Sequence, residues 1–267
     1  MEFYLRPECT ENVRTYNDGI KGYGENLKIS RSHFRRQDEC GPNQLLEIGF
    51  EKLPVFSKAD SAEMCEKMDD HLLQWSDKDE ILSILETLFT PEIDKRIVSY
   101  FESEYLPTTV QFKRTAVNYD DVSGRWHCDS GPSKHLILMA YFTPSEPDYN
   151  AGTHFLDRAT TDRMKEIGYA FCLPEHRVGS DDLAALAYHF DIEFKAHCFI
   201  IKPGDAIIFD APNIMHRGAY PKLSPRYAMV VSLIPSPVDW RTSCQRTEFP
   251  YPTDLKESYP SVDWSLA

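Results

Sequence analysis

His127, Cys128 and Asp129 form a His-x-Asp triplet, and His216 and Arg226 follow it late in the chain. Two imidazoles and one carboxylate, split into a close pair and a distant third, are the facial ligand set of mononuclear non-haem Fe(II) sites. Such a set grips one side of the ion and leaves three positions open on the other. With both imidazoles neutral, the ligand set leaves the metal a single net positive charge. The arginine ten residues beyond His216 is placed to hold an acidic small molecule beside the same metal. It also opens the apolar run Tyr227 to Leu233, where a guanidinium needs an anionic partner.

A lone triplet carries little weight. With 9 His in 267 residues and the Asp content of the chain, about 0.7 His-x-Asp triplets are expected by chance. There are two, and the second is His189-Phe190-Asp191. In an extended chain residues i and i+2 share a side, so either triplet can offer both groups to one metal. The third ligand must come from a strand that folds back. Between Asp129 and His216 the chain has room for several strands; between Asp191 and His216 it has room for one strand and a turn. His189 also ends an Ala/Leu-rich stretch, Asp181 to Tyr188, that reads as a short helix. The first triplet is the metal pair on this reading, and the second is a decoy.

The elements that must carry these residues divide the chain. Residues 1–107 read as a mixed, largely helical annex. It holds one candidate strand, Leu45 to Phe50, and a stripe of Met64, Met68, His71, Leu72 and Trp75 at helical spacing. A second amphipathic stretch runs from Ile81 to Leu88, and Pro91 stands where a third helix, Glu92 to Tyr105, can begin. From residue 108 to 235, short β-rich runs alternate with Pro, Gly, Asn and Asp turns. Strands are expected near 109–119, 124–128, 135–143, 153–156, 192–201, 206–209 and 226–234, with Pro203-Gly204-Asp205 as a tight turn. An insertion of helical and loop-like pieces at about 159–190 interrupts them and is placed to cover a site. Residues 236–267 read as an irregular tail. The expected fold is mainly β with an α annex: a double-stranded β-helix, or jelly roll, of cupin-like type behind N-terminal helices.

Composition bounds the function. A net charge of −13 repels phosphate backbones and anionic lipid, so nucleic acid and membrane are not expected partners. No apolar run is long enough to span a bilayer. The N-terminus lacks the basic-then-apolar pattern of a secretory signal. Seven cysteines, an odd count without a CxxC pair, suggest reduced thiols and a cytoplasmic location.

The order His127-x-Asp129, Pro203-Gly204-Asp205 with Ile208-Phe209-Asp210, then His216 and Arg226-x-Ala228 resembles the Fe(II)/2-oxoglutarate-dependent dioxygenase superfamily. It is most similar to the phytanoyl-CoA dioxygenase-like branch, over roughly residues 108 to 235. The resemblance implies Fe(II), 2-oxoglutarate as cosubstrate and O2, with oxidation of a small-molecule C–H bond and release of succinate and CO2. It assigns His127, Asp129 and His216 to the metal and Arg226 to the distal carboxylate of 2-oxoglutarate. Asn118 and Tyr141 are further expected cosubstrate contacts by the same similarity. The chain departs from many relatives in carrying Ala228 where they carry a hydroxyl. Related halogenases replace the carboxylate ligand by a small residue, so Asp129 favours oxygenation.

Two other readings remain open at this level. One is an iron oxygenase that does not use 2-oxoglutarate, against which Arg226 stands. The other is a non-catalytic cupin-like binding module, against which the presence of all three ligand types stands. No motif names the substrate. Arg125, Lys134, Arg158 and Arg217 could each meet an acidic one, though each reads more simply as a surface charge.

Overall fold

The computed structural model describes residues 21–33, 43–69, 78–119, 121–129, 131–146, 152–246, 255–258 and 261–266. Among these residues, eight strands build two antiparallel sheets. The major sheet contains β1 (Phe50–Pro54), β6 (Asp205–Phe209), β3 (Leu136–Tyr141), β8 (Arg226–Ser236) and β2 (Glu104–Thr115), in that order. The minor sheet contains β5 (His197–Cys198), β4 (Thr153–Phe155) and β7 (His216–Gly218). Aromatic contacts join the two: Phe155 of β4 stacks on Phe50 of β1 at 4.8 Å and meets Phe209 of β6 edge-on at 5.1 Å.

Period-two alternation explains the architecture. On the outer face of the major sheet, Val110, Leu138, Ile208, Met229 and Val231 join the core shared with the helices. The inner face is different. Strand β2 presents Thr109, Gln111, Lys113 and Thr115 there, and β8 presents Arg226, Ala228, Val230 and Ser232, all bordering internal cavities. Polar side chains at the inward positions mark a sheet that encloses a wet site, since a dry core would leave them unpaired.

The helices α1 (Tyr23–His33), α2 (Gln44–Glu47), α3 (Lys58–Asp69), α4 (Lys78–Leu88) and α5 (Pro91–Phe101) precede or interleave with the first strands. Helix α5 shows why its boundaries fall where they do. The Thr90 hydroxyl accepts from the Ile93 amide, Pro91 occupies the first turn, and Glu102 ends the helix in the left-handed region with φ 55°. It stops four residues short of the expected end because Tyr105 already pairs in β2. Ile93, Ile97 and Phe101 bury against the sheet.

Several expectations need correction. The candidate strand Leu45 to Phe50 is mostly the helical turn α2; Leu45 is buried there, and only Phe50 enters a strand. The expected strand 124–128 is not a ladder. A 3₁₀ turn, Val122–Gly124, leads into it, and successive amides then find different partners. Trp126 donates to Val178, His127 to His216, Cys128 to Ala170 and Asp129 to Ala211. The run 192–201 pairs only at His197–Cys198 and at Ile201. The insertion holds two helices, α6 (Arg158–Glu166) and α7 (Ser180–His189). The tail is not simply irregular: it forms α8 (Trp240–Arg246) and α9 (Leu255–Ser258), and Trp240 packs on Phe89 at 5.0 Å. Strand β1 joins the major sheet from the N-terminal region, by pairing with β6. His71, Leu72 and Trp75 of the expected helical stripe lie outside the described residues.

Candidate metal centre and its cavity

The His127 segment and β7 form one antiparallel bridge: the His127 amide donates to His216 O at 3.0 Å and the His216 amide to His127 O at 2.8 Å. This bridge seats the two imidazoles side by side, with ring centroids 4.5 Å apart. Alternation then sets the faces. His127 and Asp129 point into the cavity, while Trp126 and Cys128 point outward into a core with Met164, Tyr169 and Leu183 of the insertion. The insertion therefore backs the metal segment instead of roofing it. Tyr169 fixes the join, since its hydroxyl donates to Trp126 O at 2.8 Å and accepts from the Val178 amide at 3.0 Å.

Each imidazole is oriented from behind. His127 Nδ1 lies 2.7 Å from Arg125 O, and His216 Nδ1 lies 2.9 Å from Ile214 O. A carbonyl only accepts, so both Nδ1 atoms carry hydrogen, and both Nε2 atoms turn to the cavity as ligand atoms. Asp129 Oδ1 stands 3.3 Å from His127 Nε2 and 3.7 Å from His216 Nε2. One ligand atom from each of the three lies within 4.8 Å of the others. Among the described residues no other His, Cys, Asp or Glu group meets that test.

The electrostatics suit a cation. Burial pushes the His216 imidazole down to about 4, against the opposing pull of Asp129, so the ring is neutral and able to ligate. Burial alone would raise the Asp129 carboxyl. Attraction to the facing His216 ring and the hydrogen bond from His127 outweigh it and hold the group well below the usual carboxylate range. A carboxylate beside the neutral His216 ring and the His127 imidazole is a donor set that a divalent ion completes.

A cavity of about 180 Å³ opens in front of the triad, with Arg226, Lys113, Thr153 and Gln111 among its walls. Arg226 is only 9 % exposed, and its Nη1 donates to Ala219 O at 2.8 Å. Tyr141 is fully buried behind this end of the cavity. Its hydroxyl pairs with Thr153 Oγ1 at 2.9 Å, and burial pushes the phenol up despite the Arg226 charge. Tyr141 can thus act on the cavity through Thr153.

Asn118 is not brought to the site. Strand β2 ends at Thr115, and Asn118 sits on the exposed turn beyond it in the left-handed region, φ 56°, with its amide donating to Pro221 O. The second triplet also falls elsewhere, at the end of α7, where Asp191 too is left-handed with φ 53°. None of Arg125, Lys134, Arg158 and Arg217 lines the cavity. Arg158 pairs with Asp210 at 3.1 Å, Lys134 lies over Tyr100, and Arg217 lies over Trp126. Lys113, Gln111 and Thr153 are polar cavity residues that belong to no motif in the sequence. For Gln111 and Lys113 the signal is the alternation of polar residues with Val110 and Phe112 along β2; Thr153 lies on β4 and has no such pattern.

No protein-family model matches the sequence, and no curated protein matches it either. Solved structures do match. EctD from S. alaskensis with bound Fe aligns over 83% of this chain and 83% of its own, with TM-score 0.51 and 14% identity. EctD with 2-oxoglutarate and 5-hydroxyectoine aligns over 77% of this chain and 80% of its own, at 0.51 and 13%. HygX from Streptomyces hygroscopicus with nickel and 2-oxoglutarate aligns over 73% of this chain and 87% of its own, at 0.50 and 9%. The protein has the double-stranded β-helix fold of these structures, with a helical annex on the outer face of its major sheet. Among the described residues, no helix is long and apolar enough to cross a membrane.

Proposed function

We propose that this chain is a non-haem Fe(II)- and 2-oxoglutarate-dependent oxygenase that hydroxylates or desaturates a small molecule. The observation that carries the reading is the His127–Asp129–His216 cluster, both imidazoles buried and Asp129 half-buried, with ligand atoms within 4.8 Å of one another, opening on a cavity that Arg226 also lines. The fold supports it, since EctD and HygX were crystallised with metal and 2-oxoglutarate.

When bound, the iron supplies the O2 chemistry that oxidises a C–H bond, coupled to loss of CO2 from 2-oxoglutarate. The protein's residues do the rest. His127 and His216 present Nε2 lone pairs, each held by a backbone carbonyl at Nδ1. Asp129 supplies the negative charge. Arg226, oriented by Ala219 O, grips the distal carboxylate of 2-oxoglutarate as a fork, and Lys113 adds a second cation on the same cavity wall. Thr153, braced by Tyr141, offers a hydroxyl to the same cosubstrate. Ile137, Met139 and Val230 limit water beside the reacting centre.

The test is anaerobic mixing of protein with Fe(II) and 2-oxoglutarate, followed by O2. The wild type is expected to develop the visible metal-to-ligand charge-transfer band and then release succinate. His216→Ala is expected to do neither. Equal succinate release by His216→Ala would remove the reading.

A further inference from the structure

The cavity continues past Asp129, away from Arg226. A second chamber of about 230 Å³ shares Asp129, Gln111 and Ile137 with the first. Register places it: Thr115 faces Arg226 at one end of the β2–β8 ladder, and Thr109 faces Ser232 six residues along β2. Six residues of strand span about 20 Å, so a cosubstrate held at Arg226 cannot also fill this chamber.

Its walls are polar but uncharged. Thr109 and Ser232 face it from paired positions, with Gln111 one rung nearer the metal, and Ile137 and Ile234 supply an apolar side. Among the described residues, no Lys, Arg, Asp or Glu apart from Asp129 lines it, on a chain whose net charge is −13. An anionic substrate group here would lose water without gaining a counter-ion, and a cationic one would meet only Asp129, whose charge the oxygenase reading commits to the metal; both are costly. A plain alkyl chain would leave the hydroxyl and amide groups unpaired.

The chamber also holds a buried imidazole with no part in the triad. His135 is 6 % exposed, and its Nδ1 lies 2.9 Å from Pro132 O. Nδ1 therefore carries the hydrogen, and in the neutral ring Nε2 is left as an acceptor. The ring is closely fitted. A Cβ at position 131 would lie 2.6 Å from His135 Cε1 and 3.0 Å from Nδ1, so only glycine there leaves the imidazole in place.

Building on the oxygenase reading, we propose that this chamber binds an uncharged polyhydroxylated small molecule, such as a sugar, sugar alcohol or cyclitol. His135 selects it by accepting a hydrogen bond from a substrate hydroxyl at Nε2. Hydroxyls both donate and accept, which matches Thr109, Ser232 and Gln111. Ile137 and Ile234 cover the C–H face of such a molecule.

The experiment loads wild-type protein anaerobically with Fe(II) and 2-oxoglutarate. It then measures succinate release in O2 with glucose, sorbitol and myo-inositol against gluconate and glucosamine. At least one neutral polyol should stimulate release, with kcat/KM about tenfold or more above either charged compound. His135→Phe keeps the ring's bulk without the acceptor and should raise KM for that polyol about tenfold, the worth of one hydrogen bond. The KM for 2-oxoglutarate should move far less. His135→Gln, which restores an acceptor, should recover most of the loss. Gly131→Ala, which displaces the ring, should behave like His135→Phe. Equal stimulation by the charged compounds, stimulation by no polyol, or a His135→Phe defect that falls equally on 2-oxoglutarate overturns the inference. Failure of the wild type to form the visible Fe(II)–2-oxoglutarate band would instead remove the oxygenase reading itself.

Discussion

Arg226→Ala should raise the 2-oxoglutarate requirement by about a hundredfold or more while sparing iron. The arginine begins β8, is 9 % exposed and is held by the Ala219 carbonyl at 2.8 Å. A side chain so placed has already lost most of its rotamer freedom, so little is spent on ordering it when a carboxylate arrives. A forked contact supplies two charge-assisted hydrogen bonds of roughly 1.5–3 kcal/mol each. Their joint loss is about 3–6 kcal/mol, or roughly two to four decades in affinity. The lower end is expected, because Lys113 lines the same cavity and still attracts a dicarboxylate. Arg226→Lys should recover only part, since an ammonium cannot reproduce the planar fork. The assay is the dependence of succinate release on 2-oxoglutarate concentration, with iron content measured on the same samples. Wild-type dependence in Arg226→Ala would refute the reasoning. It would mean that Lys113 or another group holds the cosubstrate, or that the cosubstrate is not a dicarboxylate.

Three further outcomes follow from the geometry. Gly204 turns into β6 at φ +94°, and an added Cβ would sit 2.0 Å from the Phe56 carbonyl; Gly204→Ala should therefore cost about 2–4 kcal/mol of stability, read as a lower urea midpoint. Burial and the Arg217 charge push His154 down to about 4, below its unfolded value, so its contribution to stability is present above about pH 6.5 and is lost as pH falls toward 4; the urea midpoint should drop over that window, and His154→Gln should flatten the drop. His189→Ala and Asp191→Ala, which alter the decoy triplet at the end of α7, should leave iron stoichiometry and succinate release at wild-type levels; loss of iron in either would mean the wrong pair was chosen.

The candidate ligand cluster was more legible in the sequence than the scaffold holding it. His127, Asp129 and His216 could be singled out because chain length between the ligands excluded the second triplet, and the structure brings the three together. Arg226 could be singled out because a charge at the head of an apolar strand demands a partner. The strand at 124–128 could not be judged, since its amides bond to four separate segments and no local pattern encodes that. Asn118 was expected near the cosubstrate on similarity alone, and the turn after Thr115 carries it to the surface. Lys113 and Gln111 are not legible from apolar periodicity, because they are polar. On β2 it is the polar residues that keep the period of the cavity face.

The central claim is that His127, Asp129 and His216 act together on one metal ion. Anaerobic equilibrium dialysis against Fe(II) tests it most directly, on the wild type and on His127→Ala, Asp129→Ala and His216→Ala, with folding of each variant checked by circular dichroism. The wild type should hold one Fe(II) per chain, and each folded variant should hold far less under the same conditions. Full occupancy in any one of the three variants would contradict the account.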